Sequence, residues 1–169
     1  MPAADGSGHA RILRKWNAMT TSADGTATTV SKTFSRTTKV ATTIDADPAT
    51  VWRVLTTAAD YPRWNSTIVS LKGEIKPGST IQLVSTLDPS RTFKLKIKEF
   101  EPTSRLAWGD PLGTRVYTLT ETNGGQTIFE MNERIGGPIF PLFAGKIPSF
   151  DASFEQFAAD LKAAAEASS

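Results

Sequence analysis

Phe150–Ala167 reads FDASFEQFAADLKAAAEA, and this stretch decides the architecture. Phe150, Phe154, Phe157, Ala158 and Leu161 stand at offsets 0, 4, 7, 8 and 11, one face of a 3.6-residue period. It is the strongest helix signal in the chain, and it follows a long run of strands. Working back from it, Arg115–Thr122 and Gln126–Ile135 read as two strands joined by Asn123-Gly124-Gly125, a strong hairpin signal. Arg105–Trp108 is a short strand. Arg91–Phe100 is the cleanest, with Phe93, Leu95 and Ile97 alternating with Lys94, Lys96 and Lys98, as expected of a strand with one dry and one wet face. Thr80–Leu87 and Thr67–Leu71 precede it, separated by a turn at Glu74–Gly78.

Earlier still, Phe34–Ile44 is rich in β-branched residues and reads as a strand. Asp47-Pro48 then starts a helix, Asp as the cap and Pro in the first turn, with Val51, Trp52 and Leu55 as its apolar stripe. A second helical turn is expected at Asp60–Trp64. The order is strand, two short helices, about six strands and a long helix, with no internal repeat. That is an α+β domain: a curved antiparallel sheet of about seven strands wrapped around the C-terminal helix. A sheet bent around a helix need not be filled by side chains throughout, so an internal cavity is expected.

Composition narrows the chemistry. The chain has 169 residues, 39% hydrophobic and 21% charged, which suits one packed domain. It has no cysteine and a single histidine, His9. Thiolate nucleophiles, zinc ribbons and His-rich metal sites are thereby excluded, and a Ser–His–Asp triad is strongly disfavoured. Residues 1–33 carry Arg11, Arg14, Lys15 and Lys32 against Asp5 and Asp24, which accounts for the whole net charge of +2. The remainder, 15 basic and 15 acidic residues, is neutral and has no electrostatic footprint for nucleic acid. Residues 1–33 are expected to be a flexible extension and residues 34–169 the ligand-binding domain. Within the extension, Arg11–Trp16 could form a short basic amphipathic turn. It contains no apolar stretch of about 7–15 residues such as a secretory signal needs. A cytoplasmic location is the expectation, although the absence of cysteine fits either redox compartment.

Three segments carry a family resemblance. They are Ile44–Leu55 with Asp60–Asn65; Gly73 through Pro77-Gly78-Ser79-Thr80-Ile81; and Gly124–Thr127 through Asn132-Glu133-Arg134-Ile135-Gly136-Gly137-Pro138 with the C-terminal helix. The chain resembles the helix-grip superfamily of START lipid-transfer domains, plant pathogenesis-related allergen-type carriers and polyketide cyclases, and within it the polyketide cyclase/dehydrase-like branch. The resemblance spans residues 34–167. It implies a hydrophobic cavity between sheet and long helix. It does not fix a function, because the fold hosts carriers, cyclases, sensors and chaperone-activating modules.

Among ionisable residues Glu133 stands out. It shares strand parity with Phe129, Met131 and Ile135, so it should face the apolar interior, where a carboxylate needs a partner or takes a raised pKa. If the hairpin loop is the three residues Asn123–Gly125, Arg115 lies opposite Glu133, Tyr117 opposite Met131 and Leu119 opposite Phe129. A two-residue Asn-Gly loop would shift the parity and break this pairing. The pair is then either a polar ligand anchor, an acid/base carboxylate, or a structural ion pair. Trp64 and Trp108 are candidates for stacking on a ligand or for core packing. Gly137–Pro148 is unusually apolar for a connection; Phe140 and Phe143 either close the cavity as a lid or plug the core.

The expected ligand-binding set is Arg115, Tyr117, Glu133, Trp64, Trp108, Met131, Phe129, Phe140, Phe143, Phe154 and Phe157. The leading reading is a carrier or sensor that binds a hydrophobic or aromatic small molecule. The alternative is a polyketide cyclase/dehydratase-like enzyme using Glu133 and Tyr117 in the same cavity, and a further alternative is a chaperone-activating type interaction module. No metal ligand cluster, phosphate-cradling loop or nucleotide fingerprint is present, so no cofactor is expected. Membrane contact stays open, and the sequence is silent on oligomeric state.

Overall fold

The computed structural model describes residues 22–169. The expected turn at Arg11–Trp16 and His9 lie outside them. The described residues form one curved, open antiparallel sheet of eight strands, in the order β1-β2-β8-β7-β6-β5-β4-β3. The strands are β1 (Thr28–Lys32), β2 (Ser35–Ile44), β3 (Ile68–Lys72), β4 (Thr80–Ser85), β5 (Asp88–Glu101), β6 (Arg105–Gly109), β7 (Gly113–Glu121) and β8 (Thr127–Gly136). Helices α1 (Pro48–Thr56) and α2 (Tyr61–Trp64) carry the chain from β2 to the opposite sheet edge. After β8, α3 (Phe140–Phe143) leads into the long helix α4 (Asp151–Glu166). This is the α+β architecture that the residue periodicities predict, a curved antiparallel sheet with a long C-terminal helix, and it agrees with the helix-grip fold that the resemblance implies.

Local chemistry explains the elements. The Asp47 carboxylate accepts the backbone N–H of Thr50 at 2.8 Å, capping α1, and Pro48 occupies its first turn. Val51 and Leu55 are buried, while Trp52 is half-buried and meets Phe100 edge-on at 5.1 Å. Phe100 reaches that side because the β5–β6 register shifts between Ile97 and Glu99. The bulge puts Ile97 and Phe100, three residues apart, on one face and bends the sheet. Simple alternation would have pointed Phe100 outward. Pro89 falls inside β5, where a break had been expected. It is tolerated because the β4–β5 ladder is irregular there, shifting between Leu83 and Ser85.

The sheet also starts earlier than the sequence reading placed the domain. β1 lies within the stretch read as an extension and pairs with β2 from Thr28↔Lys39 to Lys32↔Ser35. Its turn, Thr33-Phe34, holds no Gly, Asn or Asp, so no hairpin signal marks it. All five residues of β1 are exposed, and side chains of α4 hold it instead. Glu155 accepts the backbone N–H of Ala27, and Asp151 accepts the Thr29 hydroxyl.

The core lies between the sheet and α1, α2 and α4. Phe154, Phe157, Ala158, Leu161 and Ala165 of α4 are all buried. Polar contacts from the second half of the helix tie it to segments on two sides, β2 and the loop before β3. Lys162 Nζ donates to the carbonyl of Thr43 at 2.7 Å, and Asp160 accepts both the backbone N–H and the hydroxyl of Ser66 at 2.7 Å. No described helix is long and apolar enough to cross a membrane.

Candidate functional site

The β7–β8 hairpin sets the inner wall of the site. Its loop is the three residues Asn123–Gly125, closed by Gly125 N–H donating to the carbonyl of Thr122 at 3.0 Å and by Thr122 N–H donating to Gln126 at 2.8 Å. Gly125 sits at φ +79°, the left-handed position that such a loop requires. The register is therefore Arg115↔Glu133, Tyr117↔Met131 and Leu119↔Phe129, the three-residue alternative of the two considered above.

Arg115 and Glu133 form an ion pair through Arg115 Nε and Glu133 Oε2, and their side chains are 19% and 16% exposed. Burial by itself would lower the Arg115 pKa. The charge and hydrogen bond of Glu133, together with the neighbouring Tyr117, outweigh it, so the guanidinium is held firmly cationic. Its flat face lies over the Phe154 ring at 4.9 Å.

These two residues line a cavity of about 430 Å³. One wall is β4–β5 (Leu83, Phe93, Leu95), the floor is Trp108 and Ile135, and the opposite side is Phe143, Ile147, Pro148, Phe150 and Ser153. Asp88, Arg91, Asp110 and Lys146 are the other charged residues of its lining. The cavity exists because α4 packs mainly on β2, whereas β4 and β5 lie at the far side of the sheet. The first turns of the helix cannot reach those strands. Gly109, also in the lining, has no room for a side chain, since a Cβ there would sit 2.2 Å from the carbonyl oxygen of Gly113.

With that geometry in hand, the similarities can be weighed. Residues 35–166 match the family described as polyketide cyclase/dehydrase and lipid transport. The chain belongs to this family. Solved structures of similar fold include protein MLL2253 from Mesorhizobium loti, 20% identical with a TM-score of 0.61 over 79% of this chain and 99% of that one. A START superfamily protein from Mycobacterium smegmatis is 13% identical, with a TM-score of 0.58 over 79% of this chain and 99% of that one. DynU16, from the dynemicin biosynthetic locus, is 18% identical, with a TM-score of 0.56 over 74% of this chain and 45% of that one. At such identities the likeness establishes the fold alone. No curated protein is significantly similar to the chain.

In this polyketide cyclase/dehydrase family member, the expected site residues fall in three places. Arg115, Glu133, Trp108 and Phe143 line the cavity together. Tyr117, Phe129, Met131, Phe154 and Phe157 do not: they are fully buried in the core. Tyr117 stacks near Phe129 and Phe157, with centroids 6.1 and 5.7 Å away, and meets Trp108 edge-on at 4.9 Å. Its hydroxyl is buried without a hydrogen-bond partner, and burial pushes the phenol well above its usual pKa. Here the helix touches the sheet, so aromatic rings fill the space that the sequence reading had left open.

Phe140 is also buried, against Phe143 at 5.6 Å, so the two rings split the alternatives: Phe140 plugs and Phe143 faces the cavity. Trp64 packs on Tyr61 at 4.7 Å and lines a smaller depression of about 290 Å³ beside Arg53 and Arg63, apart from the main cavity. Sequence reasoning missed Leu112 as a wall residue, read Leu83 only as an apolar strand position and Phe150 only as part of the helix face, and took Ile147 within the apolar connection before the helix. It marked Phe93 and Leu95 as a dry strand face without placing them in a site. The available signal was an apolar strand face with no helix residues left to cover it.

Proposed function

We propose that this protein binds a hydrophobic or aromatic small molecule in the cavity, as a carrier or sensor. The observation that carries the reading is a cavity of about 430 Å³ whose apolar walls converge on one half-buried ion pair, Arg115–Glu133. Concave, mostly apolar sites with a few placed polar groups suit small-molecule ligands. The family description, which names both cyclase/dehydrase activity and lipid transport, supports a ligand in this space. Between its two terms the carrier reading is better supported. Glu133 is tied to Arg115, and the Tyr117 hydroxyl lies outside the cavity lining, so a Glu133–Tyr117 acid/base pair has no shared access to a substrate.

The test is native mass spectrometry of protein purified without detergent, followed by titration with the neutral fluorescent dye N-phenyl-1-naphthylamine. Wild type is expected to retain an apolar compound or to bind the dye. Leu95→Trp, which puts an indole into the cavity from a half-buried wall position, should weaken dye binding about tenfold or more with little change in melting temperature. Wild-type protein that carries nothing and binds no dye overturns the reading, as does dye binding that Leu95→Trp leaves unchanged.

A further inference from the structure

Resting on the cavity reading, the charge balance at its inner wall bears on the chemistry of the ligand. A guanidinium has five N–H donors. Arg115 spends Nε on Glu133; the guanidinium also adjoins the Tyr117 hydroxyl, but neither Nη makes a well-formed hydrogen bond to it or to another described residue. Phe154 covers one face of the guanidinium, and the cavity adjoins the residue. The donors are therefore available to an oxygen on a bound molecule. The pair is already electrically neutral, and Asp88, Arg91, Asp110 and Lys146 balance two against two around the rest of the lining. A carboxylate seated on Arg115 would add an uncompensated negative charge next to Glu133, in a site where both partners are less than one-fifth exposed. A neutral acceptor satisfies the N–H groups without that penalty.

We propose that the ligand presents a neutral carbonyl oxygen, as in a ketone, ester, lactone or quinone, to the Nη atoms of Arg115, and that Glu133 excludes carboxylates. In this arrangement Glu133 has two roles: it orients the guanidinium through Nε and sets the charge that a ligand must match.

Three probes of one shape test this by equilibrium dialysis against the full chain: 2-acetylnaphthalene, its apolar isostere 2-isopropylnaphthalene, and 2-naphthoate. Affinity ratios are taken within each protein, so a lowered folded fraction cancels. Wild type should bind the ketone at least tenfold more tightly than naphthoate. Glu133→Gln leaves the guanidinium uncompensated and should shift that ratio toward naphthoate by about tenfold or more. In the double variant Arg115→Met/Glu133→Leu, which replaces the pair with apolar groups of similar size, the ketone should lose about tenfold relative to the isopropyl compound. Binding of the apolar probe with both ratios unmoved across the three proteins overturns the carbonyl anchor and leaves the cavity reading intact. A wild-type preference for naphthoate also overturns the anchor. Failure of wild type to bind any of the three overturns both.

Discussion

Tyr117 shows how much one atom's surroundings matter. Strand parity places its ring on the inner face, which made it a candidate acid/base partner for Glu133. The ring is on that face, but it lies inside the aromatic cluster of Trp108, Phe129 and Phe157. Edge and stacked pairs of this kind contribute about 0.5–1.5 kcal/mol each beyond their burial. The hydroxyl contributes nothing comparable, since it is buried with no partner, and an unmet buried polar group costs about 1–3 kcal/mol. Tyr117→Phe should therefore keep dye binding at the wild-type level. It should hold the melting temperature or raise it by about 2–4 °C, the shift expected for about 1 kcal/mol in a chain of this size. Calorimetry and dye titration check both. A lowered melting temperature together with lost binding would return the hydroxyl to the site.

Among the elements, the segment from α3 to α4 combines exposure with specific tethering. Ile139 and Leu142 are 56% and 82% exposed, while Phe143, Ile147 and Pro148 face the cavity. Arg36 of β2 holds this segment. It donates to the carbonyls of Ile147 at 3.2 Å and Pro148 at 2.7 Å, and its guanidinium lies over Phe150 at 4.7 Å. Phe150 in turn stacks parallel on Phe154. Arg36→Ala removes both hydrogen bonds and the cation–π contact from an element that carries few others. At such partly exposed positions a hydrogen bond is worth about 0.5–1.5 kcal/mol net, so loss of the two should quicken dye release in stopped-flow about tenfold. Thermal stability should fall far less than such a loss in the core would cause. Unchanged release rates with a large fall in stability would make the segment part of the core rather than a cover.

The hairpin of β7 and β8 is the element most legible from residues. Asn123-Gly124-Gly125 offered two loop lengths, and the choice between them set whether Arg115 meets Glu133. The three-residue loop puts the left-handed position on Gly125, where no side chain resists it. The β1–β2 turn is the opposite case. Thr33-Phe34 carries no turn residue, and β1 buries nothing, so neither turn chemistry nor alternation could reveal it.

At the scale of the whole molecule, four carboxylates are held below their ordinary pKa by hydrogen bonds. Asp24 is held below its ordinary value by the backbone N–H of Thr26, and Asp47 by that of Thr50. Glu74 is lowered by its hydrogen bond from Lys76, and Glu166 by that from Lys162. A carboxylate with a depressed folded pKa contributes stability that is fully present above its unfolded value, about 3.9 for Asp and 4.3 for Glu, and is lost as pH falls through the folded value. The melting temperature should therefore be nearly level from about pH 5 to 8 and decline below about pH 4. Asp47→Asn should decline less steeply, because one of the four groups no longer titrates. Thermal melts between pH 3 and 8 measure this, and a melting temperature that rises on acidification would contradict it.

What the sequence by itself determined are features of short range. Alternation in Phe93–Ile97, the Asp47-Pro48 start, the glycines of the last hairpin and the period of Phe150–Leu161 each reflect constraints within a few residues, and together they define an α+β sheet that grips a helix. They limit Arg115 and Glu133 to two alternatives, paired or out of register, and the structure decides for the pair. Only the tertiary structure decided where the cavity lies. Phe129 and Met131 share the inner face of the sheet with Ile135 and Trp108, Phe154 and Phe157 share a face of α4 with Phe150, and nothing in their spacing separates core from cavity wall. The separation comes from the distance between α4 and each strand. The helix lies against β2 and fills that side with rings; toward β4 and β5, at the end where α4 begins, it leaves about 430 Å³ unfilled. That volume is the residue of packing among segments up to about a hundred positions apart, with three register shifts along the sheet. No local pattern encodes it.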